Sequence, residues 1–425
     1  MSVLFLSFII LLAIGIPMAF SLGLSAFAFS WSQGGHTLLA IPLQMFASVD
    51  QFVFMAIPLF MLSGELMVTT GIMDRLLNFA MVFLGRFRGS LALVTIVCST
   101  VFAGISGSAV ADAAAIGAIL IPGMAKKYDA AFGAGVVASS SVIGPIIPPS
   151  IPMIVYAMAT GGVSIGALFM AGVVPGLLIA LGMMVIAWYL AAKRGYPRDE
   201  TKYSRKELAR LFVEVLPTLL MPIIIVGGIR GGVVTPTEAA AVAVVYAIIL
   251  GAFMRTLTAR GVWGCLVRAA KVSSMVFLVI ATASVIAWMM AEMQLPEKMA
   301  SAFRDVTDNP YIFILILNLF LLVVGCFMEP SSAMIMLMPI ISPIASSYGI
   351  EPVHLGLIVV LNLCMGMITP PVGTCLFVAC GISRLSVPVV ARAMMPFFLY
   401  QIAILALVSF VPEVVLWLPR LCGNL

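Results

Sequence analysis

The chain has 425 residues, of which 63% are hydrophobic and only 9% charged, with a formal net charge of +5. A soluble domain carries about 25% charged residues, so this chain lacks the polar groups to cover its own surface. Soluble, disulfide-rich secreted, disordered and nucleic-acid-binding classes are excluded, and the composition defines an all-α polytopic membrane protein embedded in a lipid bilayer. The seven cysteines lie mostly in apolar runs without a C-x-x-C pair and read as small buried hydrophobes. Two histidines, His36 and His354, are too few for a His-based metal site.

A helix needs about 20 apolar residues to cross a ~30 Å hydrocarbon core. Taken in chain order, apolar runs predict simple spans at 4–30, 52–72, 167–192, 211–229, 234–254, 272–295 and 394–416. The first lacks a basic flank and reads as a membrane helix, not a cleaved leader. One crossing by 4–30 places the N-terminus inside. Segments 90–122, 131–159, 311–345 and 354–382 are each interrupted by Gly, Pro or Ser clusters.

Lys and Arg accumulate on the cytoplasmic side. Eighteen of the 22 fall in five clusters: Arg75 to Arg88, Lys126/Lys127, Lys193 to Arg210, Arg255 to Lys271, and Arg384/Arg392. Segment 90–122 lies between two such clusters, and its arms of about 13 residues rise only ~20 Å. It is therefore predicted to enter and leave on the cytoplasmic side as a re-entrant hairpin. Following the parity onward, 131–159 crosses outward as a broken helix and 311–345 is a second hairpin entering from the outer face. Segment 354–382 returns inward as a second broken helix, and 394–416 leaves the C-terminus outside. The polar stretch Lys193–Glu214 divides the chain as a cytoplasmic connector, amphipathic or simply solvated.

The two halves carry the same events. Ala103-Gly-Ile-Ser-Gly-Ser-Ala109 forms one hairpin tip, followed by Gly144-Pro-Ile-Ile-Pro-Pro-Ser150. Gly325-Cys-Phe-Met-Glu-Pro-Ser-Ser332 forms the other, followed by Gly366-Met-Ile-Thr-Pro-Pro-Val-Gly373. Ser108 to Pro148 is 40 residues and Ser331 to Pro370 is 39. Equivalent elements entering from opposite faces are repeats inverted about an axis in the membrane plane. Each proline removes a donor and breaks its helix. Carbonyls freed at that depth cost several kcal/mol each unless something satisfies them. A kink patched by neighbouring hydroxyls explains one such break; two matched breaks beside Ser-rich tips point to binding.

These residues resemble a family. Gly104-Ile-Ser-Gly-Ser-Ala-Val-Ala-Asp-Ala-Ala-Ala-Ile-Gly117, Pro145-Ile-Ile-Pro-Pro-Ser-Ile151, Thr235-Pro-Thr-Glu-Ala239 and Asn362–Gly373 are similar to the large membrane subunit of tripartite ATP-independent periplasmic (TRAP) transporters. The resemblance covers essentially the whole chain. It implies the translocation subunit of a sodium-coupled importer in the bacterial inner membrane. It also implies an elevator mechanism in which a transport domain slides against a scaffold. The implied partners are a small four-helix membrane subunit and a periplasmic binding protein. The implied cargo is an organic anion: a C4-dicarboxylate, sialic acid, or another sugar or keto acid. In these terms 1–89, 167–310 and 394–425 supply scaffold and terminal helices, while 90–166 and 311–393 supply the transport repeats. Carried over residue by residue, one sodium site falls on Ser106, Gly144, Ile147 and Pro149, and the other on Gly325, Gly366, Thr369 and Val372. A stand-alone sodium- or proton-coupled dicarboxylate carrier is the alternative.

The residues support transport without the name. No G-x-x-x-x-G-K-[ST] loop is present for ATP, no His or Lys sits in either hairpin or at the Gly-Pro interruption of either broken helix for intramembrane catalysis, and oxygen-only ligands favour sodium over a transition metal. Proximity to the breaks nominates Ser108, Ser150, Ser332 and Thr374 for the substrate's polar groups. Asp112 is either a polar group near that site, a proton carrier, or a carboxylate that holds the hairpin tip. Glu329 has the same ambiguity at the second tip. Thr235-Pro-Thr-Glu238 reads as a capping box.

Overall fold

The computed structural model describes residues 2–35, 37–198 and 204–423; His36 and residues 199–203 of the expected connector lie outside the described residues. Among the described residues the chain forms twenty α-helices and no strand. Nine of the described helices are long and apolar enough to cross a membrane.

The expected single span 4–30 is instead two helices, α1 (Ser2–Ala13) and α2 (Met18–Ser32). Pro17 has no N–H to continue the ladder and disfavours helical backbone at Ile16, and Gly15 turns the chain at φ +89°. The two helices pack side by side. At 12 and 15 residues they rise roughly 18 and 22 Å. Residues 4–30 therefore do not make the one crossing on which an inside N-terminus rested. The unexpected α3 (Ala40–Val49) follows, then a short 3-10 turn (Phe52–Met55), α4 (Ala56–Thr69) and α5 (Ile72–Leu84).

The first hairpin is α6 (Ser90–Ser106) and α7 (Ala109–Lys127), closed at its base by the Tyr128 hydroxyl, 3.3 Å from both Ser90 Oγ and the Leu91 amide. Its arms have 17 and 19 residues, roughly 26 and 28 Å, longer than predicted because α6 runs on into the predicted tip as far as Ser106 and α7 runs past Pro122 to Lys127. The first broken helix is α8 (Ala130–Ser141) and α9 (Ile151–Ala159).

Helices α10 (Ile165–Lys193), α11 (Arg205–Arg230) and α12 (Pro236–Phe253) match predicted spans. The last two open with capping boxes: Glu207 accepts from the Ser204 amide and Glu238 from the Thr235 amide, each at 2.7 Å. Glu238 is thus a cap. Helix α13 (Ala259–Glu292) starts well before the predicted 272, and the amphipathic α14 (Leu295–Val306) was not expected.

The second hairpin is α15 (Pro310–Phe327) and α16 (Pro330–Ser347), and the second broken helix is α17 (Pro352–Gly366) and α18 (Thr374–Ser383). The second hairpin's ends meet where Phe313 stacks on Tyr348 at 4.8 Å. Its arms are otherwise spread, α15 lying along α17 and α16 along α9 and α13. The predicted span 394–416 is shifted: α19 (Val387–Phe410) ends before Pro412, and α20 (Glu413–Leu421) follows separately.

The packing follows the inverted repeat. Helix α9 of the first break lies on α16 of the second hairpin, and α18 of the second break lies on α7 of the first. Helix α10, predicted among the flanking helices, packs on α6, α17 and α19, and α19 packs on α8. A flanking layer centres on α4 between α12 and α13. Met61 meets Ser273, Glu65 pairs with Arg268 at 2.7 Å and Thr69 meets Cys265, a register that sets α4 and α13 antiparallel.

Candidate functional site

The first tip is a tight reversal that only glycine fits. Gly107 sits at φ +59° and a Cβ there would come 2.6 Å from the Pro149 carbonyl oxygen, so the tip rests directly on the first break. Ser108 caps α7, its Oγ 3.5 Å from the Ala111 amide. Two flanking helices close on the same tip. Gly64 of α4 faces the Ser106 backbone, and Gly104 faces Pro222 of α11 with room for no more than hydrogen.

Beneath the tip, residues Val142 to Ser150 are unwound and, apart from half-buried Ile147, buried. Ser150 donates to the Pro145 carbonyl and caps α9 by accepting from the Met153 amide at 3.3 Å. Among the described residues nothing donates to the carbonyl oxygens of Gly144, Ile147 or Pro149. Asp112 is fully buried. Its Oδ1 accepts a short hydrogen bond from the Ser106 hydroxyl, and that hydroxyl's oxygen accepts from the Ser108 amide at 3.3 Å. Its Oδ2 has no partner among the described residues and faces Gly144, where any Cβ would collide with it.

The second break differs. Gly366 at the end of α17 packs backbone to backbone against Gly325 near the end of α15. The Gly373 amide reaches across to the Cys326 carbonyl at 3.3 Å, and the Cys375 amide returns to Met367 at 2.9 Å. Thr369 Oγ1 donates back to Met365 at 2.8 Å. The carbonyls of Gly325, Thr369 and Val372 have no donor among the described residues. Pro370, Pro371, Val372 and Thr374 are exposed, so this break is open where the first is covered.

Glu329 caps α16, its carboxylate accepting from the Ser331 hydroxyl at 2.9 Å and the Ser332 amide at 3.0 Å. Of the residues nominated for substrate, Ser108 is half-buried and Thr374 exposed, whereas Ser150, Ser332 and Asp112 are buried and engaged locally. A buried Asn318–Asn362–Ser409 network, joined at 2.6 and 2.9 Å, braces α15, α17 and α19. The lone Asn in each of two apolar runs was a readable sign of it; the pairing was not.

Two inverted repeats, each a hairpin tip beside an unwound segment, define the class as a polytopic inverted-repeat transporter. The fold is that of solved transporters: over 91% of this chain and 90% of that one, it matches the YdaH transporter of Alcanivorax borkumensis with a TM-score of 0.64 at 12% identity. Residues 5–414 match the family described as tripartite ATP-independent periplasmic transporter, DctM component. The chain is 39% identical to the sialic acid TRAP transporter large permease SiaM of Vibrio cholerae, over 97% of this chain and 96% of that relative. It is 37% identical to the C4-dicarboxylate TRAP transporter large permease DctM of Rhodobacter capsulatus, over 98% of each. The chain belongs to the DctM-component family of TRAP transporters, and it is a multi-pass inner-membrane transport protein.

Proposed function

We propose that this chain is the translocation subunit of a sodium-coupled importer of an organic anion, delivered by a periplasmic binding protein and working with a small four-helix membrane subunit. The observation that carries the reading is that, beneath or beside the hairpin tips, the carbonyls of Gly144, Ile147 and Pro149 in one unwound segment and of Gly325, Thr369 and Val372 at the other lack donors among the described residues, while the Gly366 carbonyl already accepts from the Thr369 amide at 2.9 Å. Unsatisfied carbonyls at membrane depth are tolerated where they line a cavity or hold an ion. The donors fit sodium: at the first break Ser106 Oγ and the carbonyls of Gly144, Ile147 and Pro149, at the second the oxygens of Gly325, Gly366, Thr369 and Val372. An all-oxygen set suits a hard cation. A bound cation supplies positive charge beside the tips. Hydroxyls such as Ser108 and Thr374, together with the N-terminal ends of α7 and α18, then face the anionic cargo. The cargo class is a C4-dicarboxylate, sialic acid, or another sugar or keto acid.

We further propose an elevator movement. The moving body comprises both hairpins and both broken helices, with α10 and α19, which pack on them. It slides against the layer of α1 to α5 and α11 to α14. The glycine-lined contacts at Gly64 and Gly104 support this, since bare backbone offers a smooth surface.

Omitting components tests the reading. In proteoliposomes under an inward sodium gradient, uptake of candidate anions is expected only when this chain, the small subunit and the cognate binding protein are all present. Full uptake by this chain alone would instead establish a stand-alone carrier.

A further inference from the structure

We infer that Asp112 is the anionic member of the first cation site, and is not a substrate contact. This rests on the sodium reading above and adds to it a fifth group. Four observations carry it. The carboxylate is fully buried, beyond the reach of any substrate in this arrangement. Its Oδ1 binds the hydroxyl of Ser106, itself a candidate ligand. Its Oδ2 has no partner among the described residues. That free oxygen faces the bare α-carbon of Gly144, another candidate ligand, and the Ser141 carbonyl lies against the same point.

A buried carboxylate satisfied on one oxygen only is costly unless a positive charge or a donor completes it. Among the described residues no Lys, Arg or His forms an ion pair with Asp112. A monovalent cation held by the carbonyls of the break would balance its charge. The absence of a side chain at Gly144 keeps that space clear.

The second repeat lacks the same device. Counted from the N-cap of each hairpin's second arm, the position of Asp112 is taken by Ala333. The carboxylate of that repeat, Glu329, is the cap itself, exposed and occupied by Ser331 and Ser332. The two sites are therefore unequal, the first being charge-neutral when loaded and the second carrying the cation's charge.

Thermal unfolding of the purified full chain, titrated with sodium chloride against potassium chloride at constant ionic strength, tests the assignment. A ligand that binds only the native state raises the midpoint. Asp112→Asn keeps the shape and removes the charge. It is expected to be at least as stable as the wild type in potassium, because an uncompensated buried charge is gone. Its half-maximal sodium concentration is expected to rise roughly tenfold or more, the factor that loss of one charged ligand implies. Glu329→Gln is expected to leave the sodium response unchanged. An Asp112→Asn chain with the wild-type sodium response overturns the inference. So does one that loses stability equally in both salts or fails to fold, which would make Asp112 a structural brace. A wild-type chain with no sodium response overturns the sodium reading itself.

Discussion

Gly366→Val is expected to abolish uptake and to lower the unfolding midpoint of the purified chain. The α-carbons of Gly325 and Gly366 let α15 and α17 touch backbone to backbone just where the second break begins. Any Cβ at Gly366 collides with the carbonyl group and α-carbon of Gly325, and a Cβ at Gly325 would come 2.9 Å from the Leu363 oxygen. Neither neighbour is a flexible side chain that can swing aside. Overpacking a filled core costs about 1–3 kcal/mol where side chains can yield, and here the helices themselves must separate. Separation would also break the Gly373 to Cys326 hydrogen bond that ties the break to the hairpin. Gly381→Ala is the control. It lies in α18 with open space around its α-carbon, and alanine is the better helix former by about 1 kcal/mol. It should leave uptake intact and the midpoint equal or higher. Wild-type uptake by Gly366→Val would show that the contact is dispensable.

The second large effect is expected at Gly104→Val, where the first hairpin meets the flanking layer. A Cβ there would lie 2.8 Å from Pro222 Cγ, on a proline that cannot rotate away. In the proposed elevator movement, the added bulk would act on one arrangement of the two bodies, the one in which the tip is docked against α11. Destabilising that arrangement by about 1–3 kcal/mol lowers its population relative to the other by roughly 5- to 150-fold. Initial uptake rates in proteoliposomes are expected to fall by a comparable factor while the chain stays folded. An unchanged rate would mean that the contact between α6 and α11 is not remade during transport.

Hairpins and breaks were legible because their signals are local. Gly-Ser tips, paired prolines and the basic loops on either side of 90–122 are readable without neighbours, and parity then set the two repeats in opposite senses. Apolar length alone hid the break at Ile16–Pro17, where the proline signal lay inside an otherwise continuous run. It also cut the returning arm of the first hairpin short, because helix continues past the last apolar residue into Lys126 and Lys127. Pairings between distant segments were not legible at all. Asp112 facing Gly144, Gly325 on Gly366, and Asn318 with Asn362 and Ser409 depend on how four helical segments meet, and nothing in the spacing of those residues encodes that. The same holds for the exposure of the two breaks: their sequences match, yet one is buried under its tip and the other is open.

Net flux in proteoliposomes containing the complete system distinguishes the proposed sodium coupling from other energy sources. With labelled anion and saturating binding protein outside, accumulation above the external concentration is expected when sodium is high outside and low inside. None is expected when potassium replaces sodium at the same concentrations. Equal accumulation in potassium, or accumulation that follows an imposed proton gradient with sodium absent, would contradict the account.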